Sequence, residues 1–201
     1  GVCNDGVDDD GDGLTDCEDP DCDLAPCGAG GALCISGVCG GASCVSPRPG
    51  YCYIPGGSFS MGSPDTELGR ARDEQLHTVL LTRYISMKAV EVTQAEWTHR
   101  FATAPFLTAS CPECPAEGVT WWDAVAYCND LSQEEALEEC YQVEGCLGHP
   151  GGGYQCEDIQ FVGLDCGGYR LPTEAEWERA ARSDRTTATP LGDISVMGCE
   201  E

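Results

Sequence analysis

Positive charge is what this 201-residue chain has least of: ten Lys and Arg stand against 35 Asp and Glu, and Lys88 is the only lysine. The formal net charge of −25 repels phosphate backbones, which argues against nucleic acid as a partner. Such a surface suits divalent cations, solubility or a basic partner. No apolar run approaches membrane-spanning length, so no transmembrane segment is expected here. Histidine is scarce too: His77, His99 and His149 form no H-x-x-x-H or H-E-x-x-H pair, and a zinc hydrolase has little support. A G-x-S-x-G elbow and a P-loop are both missing. With no initiator Met and no signal peptide in view, the expectation is a chain that begins after a processing site or inside a longer protein.

Cysteine is the opposite case. Sixteen are present, an even number with no thioredoxin-like βαβ context, which points to a disulfide framework made in an oxidising compartment. The expected location is extracellular, periplasmic or the outer cell surface. The competing reading, a cytosolic zinc protein, has irregular spacings against it.

Three zones follow one another. Residues 1–22 are an acidic loop bracketed by cysteines, in which Asp8, Asp10, Asp12, Gly13, Asp16 and Asp19 fall at D-x-D-x-D-G-x-x-D-x-x-D. That is calcium-loop spacing. Alternate carboxylates converge, Gly13 permits the sharp turn, the Leu14 carbonyl offers a backbone oxygen and Asp19 closes the shell. Every donor is hard oxygen, which favours Ca2+ over transition metals. The last ligand is Asp rather than the longer Glu, and no flanking helices are evident; Cys3 and Cys17 are placed to staple the loop. A solvated acidic linker is the plainer alternative. Residues 23–50 hold cysteines among Gly, Ala and Ser, with too little apolar surface for a core, and read as a stapled spacer.

From residue 51 to 201 strands alternate with capped helices. Thr78–Thr82 and Tyr84–Met87 read as β-structure. Thr93-x-x-Glu96 and Thr173-x-x-Glu176 are capping boxes, each followed by a tryptophan, Trp97 and Trp177. Thr120 caps a helix expected from Trp121 to about Leu131, and Ser132-x-x-Glu135 offers a fourth box for a short helix ending near Cys140. In the last helix Trp177, Ala180 and Ala181 make the apolar stripe, leaving Glu174, Glu178, Arg179 and Arg182 on the wet side. Between Cys140 and Gly168 a glycine-rich stretch lacks periodicity; Cys140, Cys146, Cys156 and Cys166 are expected to fasten it.

Chemistry-bearing residues are few. Cys111-Pro112-Glu113-Cys114 is a C-x-x-C, open to use as a redox dithiol, half a zinc site or a local disulfide. Its place in a proline-rich loop ahead of the Thr120 cap favours the structural disulfide. Cys128 lies mid-helix with Trp121, Ala124 and Val125 and reads as packed or bridged. Trp121-Trp122, Trp97 and Trp177 suggest a carbohydrate platform, yet tryptophans beside capping boxes are more often core. No catalytic residue is assigned.

Five segments, in order, resemble the formylglycine-generating enzyme (sulfatase-modifying factor) family. They are Tyr53–Gly62 (YIPGGSFSMG), Arg72-Asp73-Glu74 with His77-Thr78-Val79, Glu91–Trp97 (EVTQAEW), Val119–Cys128 (VTWWDAVAYC) and Gly168–Arg182 (GYRLPTEAEWERAAR). The cysteine pattern between Cys140 and Gly168 resembles an insertion of secreted bacterial members, and the acidic loop resembles thrombospondin type 3 calcium repeats. The resemblance implies an α+β fold, an elaborated C-type lectin-like domain incomplete at its C-terminus and preceded by a disulfide-rich extension. It also implies oxygen-dependent oxidation of a protein cysteine to formylglycine, at a copper ion held by two cysteines near an RGGSW strand. Neither that strand nor the family's GN.WEW motif occurs by Glu201, so copper is expected only if a further C-terminal part exists. The later strands would also cover the helices at Trp97, Trp121 and Trp177. The alternatives are a non-catalytic extracellular binding module with a calcium-stabilised N-terminus, taking a protein or peptide partner, and a calcium-dependent surface protein.

Overall fold

The computed structural model describes residues 49–67 and 69–182, with Thr15, Cys22, Cys34–Ile35 and Val38–Cys39 besides. Helices and antiparallel strand pairs alternate along the chain, and the described residues divide into two compact units. One runs up to Ala89 and resumes at Pro172; the other is the intervening Val90–Leu171.

The discontinuous unit contains β1 (Cys34–Ile35) paired with β2 (Val38–Cys39), β3 (Tyr51–Ile54) with β6 (Ile85–Lys88), and β4 (Gly57–Met61) with β5 (His77–Leu81). In β4 the period of two is plain: Gly57, Phe59 and Met61 are buried while Ser58 and Ser60 face water. The expected strands at Thr78–Thr82 and Tyr84–Met87 are β5 and β6 to within a residue or two. Gly62 ends β4 at φ +94°, and a Cβ there would meet the Gln75 carbonyl oxygen at 2.6 Å. Only glycine fits that turn.

Helix α3 (Glu174–Arg182) packs on β4 and β5. Its capping box forms as expected, Thr173 N donating to Glu176 Oε2 at 2.8 Å and Glu176 N to Thr173 Oγ1 at 3.2 Å. The expected apolar stripe is corrected, however. Trp177 is 61% exposed and Ala181 is exposed, whereas Glu176 is buried and Glu178 and Arg182 are largely covered. The reason is a polar clasp: Gly62 N donates to Glu178 Oε1 at 2.8 Å, Arg182 Nη1 donates to Gly62 O at 2.6 Å, and the two side chains pair at 2.7 Å. Arg179 adds a cation–π contact over Phe59.

The continuous unit holds α1 (Gln94–Arg100), α2 (Trp121–Glu134) and one long hairpin. Its outer part pairs β7 (Tyr141–Glu144) with β10 (Asp158–Phe161); its inner part pairs β8 (Leu147–His149) with β9 (Gly152–Gln155). Glu157 N donates to Glu144 O where the two parts join, and the Cys146–Cys156 disulfide closes the junction. Cys140–Cys166 ties β7 to the segment after β10, so all four cysteines fasten this stretch as expected. The core is Val125, Cys128, Cys140 and Tyr141, flanked by Val143, Ile159, Tyr169 and Leu171.

Ser132 does not start a helix. It is buried inside α2, donating to Cys128 O at 2.9 Å and accepting from Tyr169 N at 2.8 Å, so its hydroxyl is already committed. The helix instead runs on to Glu134, and Ala136 turns the chain out at φ +55° while Leu137 N reaches back to Ser132 O.

Candidate functional site

The start of α2 gathers the groups that bear on function. Thr120 and Asp123 form a capping box: Thr120 N and Oγ1 donate to Asp123 Oδ2, and Asp123 N donates to Thr120 Oγ1. The other carboxylate oxygen of Asp123 accepts from Gly151 N at 2.9 Å, which pins the β8–β9 turn to the helix end. Asp123 is buried, and the unpaired amides of the first turn suit a carboxylate there.

Ahead of this cap, residues 102–118 are held from several sides. Gln94, itself buried, donates from Nε2 to Thr108 Oγ1 and accepts from Cys111 N at Oε1. Trp97 Nε1 donates to Thr103 O at 2.9 Å, and its ring stacks on Tyr127, 5.9 Å between centroids. Backbone bonds run from Gln94 N to Cys114 O and from Ala116 N to Val92 O. Thr108 N donates to the Glu117 carboxylate at 2.7 Å. Hydrogen bonds from Thr108, and a weaker one from the Leu107 amide, hold the Glu117 carboxyl below the usual carboxylate range.

This ordered loop and the helix start carry apolar side chains in water. Leu107 is 86% exposed, Val119 38% and Trp121 53%. Trp121 meets Trp122 edge to face at 5.0 Å. Trp97, by contrast, is 2% exposed and is core as expected. Trp121, at the start of α2, and Trp177, within α3, are each more than half exposed, on helices that the later strands of the family fold are expected to cover. Leu107 and Glu117 carry no motif in the sequence, and the fold joins them through the hydrogen bonds that Glu117 accepts from Thr108 and Leu107.

Among the described residues the cysteines are mostly committed. Cys111–Cys114, Cys140–Cys166 and Cys146–Cys156 are bridged, and Cys22, Cys34 and Cys52 are disulfide-bonded as well. Cys128 is free and buried; desolvation pushes its thiol up to about 12, only partly offset by Arg170. These side chains do not fit the copper pair that the resemblance implies, which calls for two available thiols. His77 starts β5, His99 is exposed on α1 and His149 ends β8. Among the described residues no three His, Cys, Asp or Glu cluster as a metal site. The expected calcium ligands Asp8, Asp10, Asp12, Leu14, Asp16 and Asp19 lie outside the described residues. No described helix is long and apolar enough to cross a membrane.

Over 94 residues the chain is 37% identical to a protein named chaperone protein LppX from Paenibacillus barcinonensis, matching 45% of this chain and 33% of that one. The chain thus spans about a third of the length of the curated relative it matches. Among solved structures, Treponema denticola variable protein 1 aligns with a TM-score of 0.50 and 26% identity, over 66% of this chain and 52% of its own. A crystal structure of CarF aligns with a TM-score of 0.42 and 28% identity, over 67% of this chain and 56% of its own. The model of the sulfatase-modifying factor enzyme 1-like domain matches residues 41–196, most of the sequence, and the chain belongs to that family.

Proposed function

We propose that this chain is a disulfide-braced, non-catalytic module that binds an extended polypeptide through exposed apolar side chains at the start of α2, Trp121 first among them. The observation that supports it best is the pairing of exposure with rigidity. A half-exposed indole begins α2 three residues after a loop whose backbone and Thr108 hydroxyl are tied by Gln94, Trp97 and Glu117. A backbone ordered before binding loses little entropy on contact, and tryptophan is among the residues most often found at the energetic centre of an interface. The name of the relative, a chaperone, fits a role in holding polypeptide. The disulfides fit an exported protein at the cell surface, in the periplasm or outside the cell. In this reading the scaffold is the C-type lectin-like fold of the family, used without its chemistry. A reduced, carboxymethylated polypeptide titrated against the chain tests it: Trp121→Ala is expected to weaken binding at least about tenfold, and unchanged affinity refutes it.

Family membership favours a second reading, oxidation of a protein cysteine to formylglycine with oxygen and copper. It needs a thiol pair supplied from beyond the described residues. Aldehyde formed in a cysteine peptide, trapped by a hydrazide and weighed by mass spectrometry, would establish it. The acidic loop is proposed to hold one Ca2+ through Asp8, Asp10, Asp12, the Leu14 carbonyl, Asp16 and Asp19. Calorimetry with calcium should give heat that Asp10→Asn with Asp12→Asn removes; no heat at millimolar ion rejects the site.

A further inference from the structure

As a brace, the Cys111–Cys114 bridge has little to do. The stabilisation a disulfide brings grows with the length of chain it closes. This one joins cysteines three apart in sequence, against 26 for Cys140–Cys166 and 10 for Cys146–Cys156. Its loop is also held by other means. Gln94 N donates to Cys114 O at 2.8 Å, Ala95 N to Pro112 O at 2.9 Å and Ala116 N to Val92 O at 2.7 Å. Cys114 N closes the turn on Cys111 O at 2.9 Å, and Cys111 N donates to Gln94 Oε1 at 2.9 Å. None of these bonds passes through sulfur. They fix a backbone on which the two Cα atoms stand 5.2 Å apart, within disulfide range.

The pair is within reach of a second molecule as well. Cys111 and Cys114 are both partly exposed, and Pro112 and Glu113 between them face water. Each of the two longer bridges has one end buried, at Cys140 and at Cys156. An attacking thiolate has to reach a sulfur, so access helps decide which bridge opens. We infer that Cys111–Cys114 is a reversible two-electron couple that oxidises the cysteine thiols of another polypeptide, one dithiol per chain. A client thiolate attacks one of the two sulfurs; a mixed disulfide forms, the Cys111–Cys114 bond breaks, and the released cysteine takes up a proton. A second client thiolate then attacks the client's own sulfur in that mixed disulfide, which frees the other cysteine. The client gives up two electrons and two thiol protons and gains a disulfide, while Cys111 and Cys114 become thiols on a backbone that still holds them together. This exchange is stoichiometric; it goes beyond the binding role proposed above and does not rest on it.

Graded dithiothreitol on the full chain, followed by acid quenching, alkylation and peptide mapping, reads the order in which the bridges open. Cys111 and Cys114 are expected to label at about tenfold lower reductant than Cys140–Cys166 or Cys146–Cys156. The near-UV circular dichroism should be unchanged at that point, and oxidised glutathione should close the pair again. A reduced peptide with two cysteines, spaced to close a disulfide, is then mixed with the native chain under nitrogen. One peptide disulfide per chain is expected, with two new thiols at Cys111 and Cys114. Cys111→Ser with Cys114→Ser should leave the peptide reduced and keep the near-UV spectrum. Opening together with the longer bridges, or only with loss of that spectrum, makes the pair a structural staple and overturns the inference. A pair that dithiothreitol opens but that leaves the peptide reduced overturns another polypeptide as the electron donor. Peptide oxidation that persists in the double variant puts the couple at a different bridge and overturns this pair.

Discussion

Cys128 sits in the core of the continuous unit with Val125, Cys140 and Tyr141, and that burial decides its chemistry. A thiol pushed up to about 12 stays protonated in the fold, whereas the unfolded chain releases its proton from about pH 8.5. The folded state therefore holds the proton longer. The Cys128 contribution is complete below about pH 8.5 and falls by at most about 1.4 kcal/mol per pH unit as pH climbs toward 12. Tyr127 and Tyr141, also raised by burial, act in the same direction at higher pH. Urea unfolding at pH 7, 9 and 10 should show this slope, and Cys128→Ala should flatten it. At pH 8 the native thiol should resist iodoacetamide and react once the protein is denatured. Glu117 has the opposite sign: its carboxyl is depressed, so the order it brings to Leu107 and Thr108 is present at neutral pH and lost in acid. Faster amide exchange at Thr108 below the carboxylate range would register that loss.

The caps were the legible elements. Thr93, Thr120 and Thr173 all form the boxes that their spacing predicts, because a cap is local: residues three apart satisfy each other wherever the helix goes. Which face of a helix is inside is not local, and there sequence reasoning failed. TQAEW and TEAEW place a tryptophan at the same position after the cap, yet Trp97 is enclosed by Phe101 and Tyr127 while Trp177 points to water. What decides is the surface α3 meets: the Gly62 peptide offers a donor and an acceptor, which Glu178 and Arg182 match. Ser132 misled for a related reason, since Tyr169, 37 residues on, claims its hydroxyl. Two substitutions probe the α2 start. Thr120→Ala should cost about 1–2 kcal/mol in chemical denaturation. Gly151→Ala, at φ +77° with the Thr103 carbonyl in the way of a Cβ, should cost about 1–3 kcal/mol. Gly153→Ala, at φ +75° but in open space, should cost only the backbone penalty of about 1–2 kcal/mol. Equal losses at the two glycines would show that the contact with Thr103 is unimportant.

Across the whole molecule, covalent links take over work that a small core does elsewhere. Cys140–Cys166 closes a span of 26 residues and Cys146–Cys156 one of 10. Chain-entropy arguments give about 3.5 and about 2.7 kcal/mol for loops of those lengths. Paired Cys→Ser variants should therefore lower the melting temperature more for Cys140/Cys166 than for Cys146/Cys156; the reverse order would mean that strain or residual structure outweighs loop length. A formal charge of −25 adds a global term: self-repulsion loosens the native state, so moderate salt should raise the melting temperature. The clasp on Gly62 has a temporal side as well. Glu178 and Arg182 lie 116 and 120 residues beyond the peptide they grip. A ribosome needs on the order of ten seconds to make that length, and every residue of Val90–Leu171 is synthesised before the clasp can close. Until Arg182 is released, the β4 turn must leave its amide and carbonyl to water, and a stalled nascent chain would keep that latch open.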